Sequence, residues 1–328
     1  MLILDQDRLS FRFPEVHKDA VLNVEFQRTL RIPDDNREYA LPPGLGRFPL
    51  THVDDFAERL PTSWTQHGGV FLPMYQTEAL WLNFRTPAFY PFAIKIAAGK
   101  IDAITGEAWS TGLYDHPQNY VVAPTQPWLD GFCVGKGVIR QFVAMPMGEG
   151  FTAEEQLTGE AEHGGLQIIA YPMKAEIYEE ILAEREAYRD NEIRFSLRSY
   201  PKVKEMGLAP GGLMRQSIHK DRYGIESWDL AHSSRCFVHI LNSLQYAQVT
   251  GHAPPMQPPS ANDYTKAGLP WFDYYDAEAI ALRGADNLAG LDSVASLGIK
   301  KGLPPLPNNE PLEPKIIKTI KPIREGEF

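Results

Sequence analysis

Three groups of residues carry the types and spacings that chemistry uses. The first is His232, Cys236 and His239. On a helix they would sit at i, i+4 and i+7, on one face. Neutral imidazoles and a thiolate are good zinc ligands, and three protein ligands around an open position is the pattern of a catalytic site. The glutamate of a His-Glu-x-x-His motif is missing, and on a strand Cys236 and His239 would point to opposite faces. Ordinary packing of small polar side chains beside an apolar stripe competes with metal binding. No cofactor is therefore expected, with zinc as the exception to test.

The second group is acidic: Glu149, Glu154, Glu155, Glu160 and Glu162, followed by His163. Two carboxylates flanking a glycosidic bond can divide the roles of acid and base, and a histidine can tune one of them. Glu155, Glu160 and His163 are the candidate catalytic residues of such a hydrolase, one acting on carbohydrate. Against this, glutamates in a Gly-rich connection also make a solvated surface, and Thr152 with Glu155 has the spacing of a helix-capping box.

The third group is aromatic. Six tryptophans (Trp64, Trp81, Trp109, Trp128, Trp228 and Trp271) are joined by the run Leu269-Pro-Trp-Phe-Asp-Tyr-Tyr275. Core packing accounts for most indoles, but exposed aromatic faces mark ligand sites and protein interfaces. The 269–275 run is too aromatic for a free loop and is expected to dock on the body or on another subunit. Trp271, Phe272, Tyr274 and Trp128 are its candidate partner-binding residues.

Phosphate cradles are absent: Gly148-Glu-Gly150 and Gly164-Gly165 match neither nucleotide-binding fingerprint. No Gly-x-Ser-x-Gly elbow occurs. Pro210-Gly211-Gly212 has the composition of a tight turn.

The elements that must position these groups are mostly strands. Leu9, Phe11 and Phe13 alternate with polar residues, as do Leu22, Val24, Phe26, Leu30 and Ile32, the period of two of a sheet with one buried face. Arg28 falls on the apolar side of that alternation, which implies a bulge, a strand end or a buried ion pair. Residues 80–84, 92–104 (a hairpin turning at Gly99), 121–122, 138–145 and 166–171 complete the strand set. Helices are expected at 52–60, capped by Thr51 and Asp54, at 175–189, and at 276–283. Residues 234–249 fit either one helix or a strand over 235–241 followed by a shorter helix. Residues 252–271 are rich in proline and expected to be irregular.

The fold class is thus α+β and strand-rich: a β-sandwich or barrel-like body with a few peripheral helices. The compact body spans 1–301, with a possible sub-boundary near 190–205. Residues 302–328 form an extended proline-rich tail or docking arm.

Composition bounds the function classes. The 328 residues carry 32 Lys and Arg against 42 Asp and Glu, a net charge of −10. From Lys300 onward six basic residues meet four acidic ones, leaving a body of 26 basic and 38 acidic residues, or −12. Such a body repels phosphate backbones, so nucleic acid is not an expected partner. No apolar run approaches the roughly 18 residues of a membrane helix, and no leader pattern opens the chain; a cytoplasmic location without membrane insertion is expected. The two cysteines, Cys133 and Cys236, are far apart and read as reduced.

Several runs resemble a known family. Gln126-Pro-Trp-Leu-Asp-Gly131, Arg140-Gln-Phe-Val-Ala-Met-Pro146, Glu155-Gln-Leu-Thr-Gly159, His163-Gly-Gly165, Met206-Gly-Leu-Ala-Pro-Gly-Gly212 and Gly268-Leu-Pro-Trp-Phe-Asp273 are similar to a family of uncharacterised bacterial and fungal proteins, over about residues 8 to 310. The resemblance brings no activity, cofactor or catalytic residue. It implies one recurring unit rather than a chimera. The function that follows is binding or assembly, in a homo-oligomer or with a protein partner, through the 269–275 loop and the C-terminal arm. A hydrolase using the glutamates of 149–162, or a metal protein centred on His232, Cys236 and His239, are the alternatives.

Overall fold

A computed structural model describes residues 1–185, 205–274 and 279–320. Its centre is a 17-stranded, largely antiparallel sheet. Val21–Thr29 pairs with Leu9–Arg12 on one side and with Ala79–Arg85 on the other. The sheet continues through Val138–Pro146 to Glu205–Arg215. It then passes through Ser234–Asn242 and Leu166–Pro172 to Phe92–Ala98. The fold class is therefore α+β and strand-rich, with a sandwich-like body and few helices.

The alternating apolar residues go inward as expected, but the face opposite is covered as well, since Asn23, Glu25 and Ser10 are also buried. Leu22, Val24 and Phe26 are fully buried in one large apolar cluster with Leu9, Phe11 and Phe13. Arg28 breaks the pattern because it answers Glu78, and the pairing of its strand with Gly44–Arg47 shifts register between Gln27 and Thr29. The 92–104 hairpin forms as expected: Phe92–Ala98 turns into Ile101–Asp102 through Gly99, whose φ of +59° suits glycine.

Elsewhere the structure corrects the sequence. Residues 54–59 form a 3-10 turn with no side-chain cap, because Thr51 is already a strand residue opposite Phe71. The 234–249 segment is a strand, Ser234–Asn242, followed by a helix, Ser243–Thr250, which Asn242 caps. Pro210-Gly211-Gly212 is no turn: it lies inside the 11-residue strand Glu205–Arg215, opposite a register shift in Val138–Pro146. The glycines there let backbones approach. A Cβ on Gly212 would run into the Pro33 carbonyl, and one on Gly211 into Val143.

The 175–189 helix is described as Ala175–Arg185, and Tyr188 lies outside the described residues, as do 275–278. Residues 279–283 are not helical; Ala281 instead bridges His219. Short helices at Ala261–Lys266, Asp286–Ala289 and Val294–Lys300 carry too little periodicity to be read from sequence. Most of the 190–205 sub-boundary falls outside the described residues. No helix is long and apolar enough to cross a membrane among the described residues.

Candidate functional site

The aromatic run and the C-terminal arm come together. Trp271–Tyr274 and Ile317–Ile320 form a parallel two-stranded ribbon, with Trp271 opposite Ile317 and Tyr274 opposite Ile320. The ribbon is tied to the body at Phe272, which exchanges two backbone hydrogen bonds with Leu41, of 2.7 and 2.9 Å. Trp271 is not a surface contact. It is fully buried, and its indole N–H donates to Thr265 Oγ1 at 3.2 Å. Tyr274 packs edge-on against Trp128, with ring centroids 5.0 Å apart, and Arg215 grips both carboxylate oxygens of Asp273.

The arm therefore docks on its own chain. Arg31 donates to the Asn309 side chain and to the Pro307 carbonyl, and Asp34 N–H donates to Asn309 Oδ1 at 2.9 Å. Leu312 is buried, with its N–H on the Tyr39 hydroxyl. The ribbon's far side is different. All four residues of Ile317–Ile320 are exposed, and Ile316, Ile317 and Ile320 keep 44–45 % of their surface in solvent. Among the described residues no strand pairs with that outer edge. Where the arm leaves the helix Val294–Lys300 it roofs a cavity of about 370 Å³, walled by Met145, Phe151, Ile299 and Leu306, with Glu149 and Glu310 at its polar points.

The acidic segment divides into structural and titratable groups. Thr152 and Glu155 form the expected capping box. Glu155 Oε1 accepts from the N–H groups of Gly148 and Gly150, and Oε2 from the N–H and hydroxyl of Thr152. With its oxygens so engaged, Glu155 is a fastener of the loop. Glu160 is exposed. His163 instead faces Glu154, its Nδ1 3.6 Å from Glu154 Oε1. Glu154 is buried, and burial pushes its carboxyl up to about 7 even though N–H groups, His163's among them, hold its carboxylate form. Burial likewise lowers the His163 imidazole. Nothing in the sequence separates Glu154 from its neighbouring glutamates. Only its helix position, which turns it inward beneath Gly99, does so.

His232, Cys236 and His239 are not brought together. The strand sends Cys236 and His239 to opposite faces, while His232 pairs with Asp229 at 2.8 Å in an exposed turn. Cys236 is buried, and burial pushes its thiol up to about 12. His239 stacks on Trp64, ring centroids 4.4 Å apart, and bonds the Gly68 carbonyl. Burial drops its pKa to about 4. Among the described residues no three His, Cys, Asp or Glu side chains converge as a metal site would need.

Compared with protein-family models, curated proteins and solved structures, the chain matches none.

Proposed function

We propose that the protein is a binding and assembly protein that associates with a second copy of itself through the outer edge of its C-terminal ribbon. The observation that carries this is the exposed strand Ile317–Ile320, with Ile316, Ile317 and Ile320 open to solvent. An exposed strand edge is a template for another strand, and natural folds cover, charge or pair such edges. A two-stranded ribbon is marginal by itself. Two ribbons meeting edge to edge across a two-fold axis would make four strands, with main-chain hydrogen bonds giving affinity. The aromatic run serves this by anchoring the ribbon: Trp271 in the core, Phe272 on Leu41, Asp273 on Arg215. Replacing Ile317 and Ile320 together by lysine is the direct test, because both side chains are exposed and their loss leaves the fold intact. Light scattering should show the wild type dimeric and the double variant monomeric. A double variant with the wild-type mass contradicts the proposal.

A second function, general acid–base hydrolysis, is favoured by one observation: a buried carboxyl, Glu154, held near neutrality beside the imidazole of His163. A catalytic acid or base needs a pKa near the working pH. Glu154→Gln should then abolish hydrolysis of a panel of nitrophenyl glycosides while the protein still unfolds cooperatively in urea. A wild-type protein inert towards the whole panel counts against it.

A further inference from the structure

Lys95 lies at the middle of the strand Phe92–Ala98, one of the most buried strands of the sheet, with only 1 % of its side chain exposed. Lysine is almost never buried so completely without a close partner. Its Nζ donates to the Gly112 carbonyl at 2.8 Å and reaches Ser110 Oγ at 3.4 Å. The nearest carboxylate oxygen, Asp102 Oδ2, stands 3.8 Å away, beyond hydrogen-bonding distance. The strand register explains the encounter: Asp102 pairs with Ala97, which shares a face with Lys95.

The surroundings are under-satisfied in a particular way. Asp102 Oδ1 is occupied by the N–H groups of Ile104 and Thr105, but the buried Oδ2 has no hydrogen-bond partner among the described residues. The buried indole N–H of Trp109 has none either, and the Trp109 ring lies 5.0 Å from Nζ. An orphaned acceptor thus stands 3.8 Å from the amine, and the ring that carries the orphaned donor lies over it. Buried polar atoms without a protein partner are uncommon in folded proteins, and a catalytic role is one account of them. Burial lowers the Lys95 pKa against the pull of Asp102 and Glu107, and raises Asp102 to about 6. The cover is a single layer of chain: residues 107, 108, 111 and 114–117 are exposed on its outer side. The loop is tied by Lys95 itself, by the Tyr171 hydroxyl on the Thr111 carbonyl, by the Trp109 backbone N–H on the Lys100 carbonyl, by Asn119 Nδ2 on the Gly112 carbonyl and by the buried Leu113, and these ties must be broken or stretched for it to lift.

We propose that Lys95 is a nucleophilic amine that captures a small uncharged aldehyde or ketone as an imine, with Asp102 as its acid and base, when the 107–117 loop lifts. The nitrogen lone pair forms a bond to the carbonyl carbon, and the carbonyl electron pair moves to oxygen, which takes the Asp102 proton. The nitrogen returns a proton to Asp102, which passes it to the new hydroxyl. Water leaves as the C=N bond closes. One carbonyl compound and one amine give one imine and one water, with no oxidant or reductant. The class of substrate follows from the charges at hand. Asp102 and Glu107 act on the amine, and their negative charge disfavours a substrate carboxylate there. The rings of Trp109 and Tyr114 suit a small apolar body.

The experiment is reductive trapping on the full chain. The protein is incubated with butanone or propanal plus cyanoborohydride, and peptide mapping locates the alkylated lysine. Expected is a saturable adduct on Lys95, formed roughly tenfold faster than on exposed Lys100, since a desolvated amine is the better nucleophile; pyruvate labels it more slowly. Asp102→Asn should slow Lys95 labelling and leave Lys100 unchanged. Labelling confined to exposed lysines in the wild type overturns the proposal without recourse to any variant.

Discussion

Arg28 and Glu78 form a buried ion pair, with Nη2 2.7 Å from Oε1 and side chains 11 % and 1 % exposed. Arg28 also donates to the Met256 carbonyl and lies over the Phe48 ring, while Glu78 accepts the Tyr75 N–H. The pair thus fastens the 252–258 loop to the sheet. Removing one partner leaves an uncompensated buried charge, so Glu78→Ala should cost about 3–5 kcal/mol. Urea denaturation checks this. Replacing both residues by methionine and leucine should cost much less than the single change.

Two glycines should respond oppositely to alanine. At Gly212 the new Cβ meets the Pro33 carbonyl, and overpacking there should cost about 1–3 kcal/mol. At Gly298, inside the helix Val294–Lys300, it meets nothing within 4 Å; Gly298→Ala should stabilise by about 1 kcal/mol through helix propensity. Thermal unfolding of the two variants should give shifts of opposite sign.

The buried carboxyls predict a pH dependence. Burial pushes Asp130 up to about 7, and its Oδ2 accepts from Gln216. Asp102 and Glu154 are shifted in the same direction. Between the ordinary carboxylate pKa and these raised values the native state holds protons that the unfolded chain has lost. Stability therefore falls as pH rises from about 4 to 7. His239, lowered to about 4, opposes this over pH 4–6.5, and His163 and Asp292 are lowered as well, but the raised carboxyls, which also include Glu78 and Glu205, outnumber them. Denaturant midpoints should be higher at pH 5 than at pH 8, and Asp130→Asn, which keeps an acceptor for Gln216, should narrow the gap. A higher midpoint at pH 8 contradicts it.

Shortening the arm should loosen the fold locally. Truncation before residue 302 removes Leu312 from the core cluster and the Asn309 clasp on Asp34. The ribbon partner of Trp271–Tyr274 goes with it. Hydrogen exchange should then accelerate at residues 31–41 and 271–274 and stay unchanged in the hairpin 92–102.

The strand framework was legible because its residues alternate: Leu22, Val24 and Phe26 point one way, and burial follows. The Thr152–Glu155 box was legible because capping is a local contract between four residues. What the sequence could not show was long-range. Pro210-Gly211-Gly212 has turn composition, and only the neighbouring backbone of Pro33 reveals why glycine is needed in a strand there. Arg28 looked misplaced until Glu78, fifty residues on, supplied its partner. Glu154 and Glu155 are adjacent glutamates with different fates, one buried beside His163 and one spent on loop amides. That difference is set by the direction each side chain leaves a two-turn helix.

The most direct test of the assembly account is the sedimentation mass of the full chain at micromolar concentration. The account predicts twice the 36.9 kDa of one chain, falling to a single chain when Ile317 and Ile320 become lysine. A wild-type protein that sediments as 36.9 kDa at every concentration contradicts it.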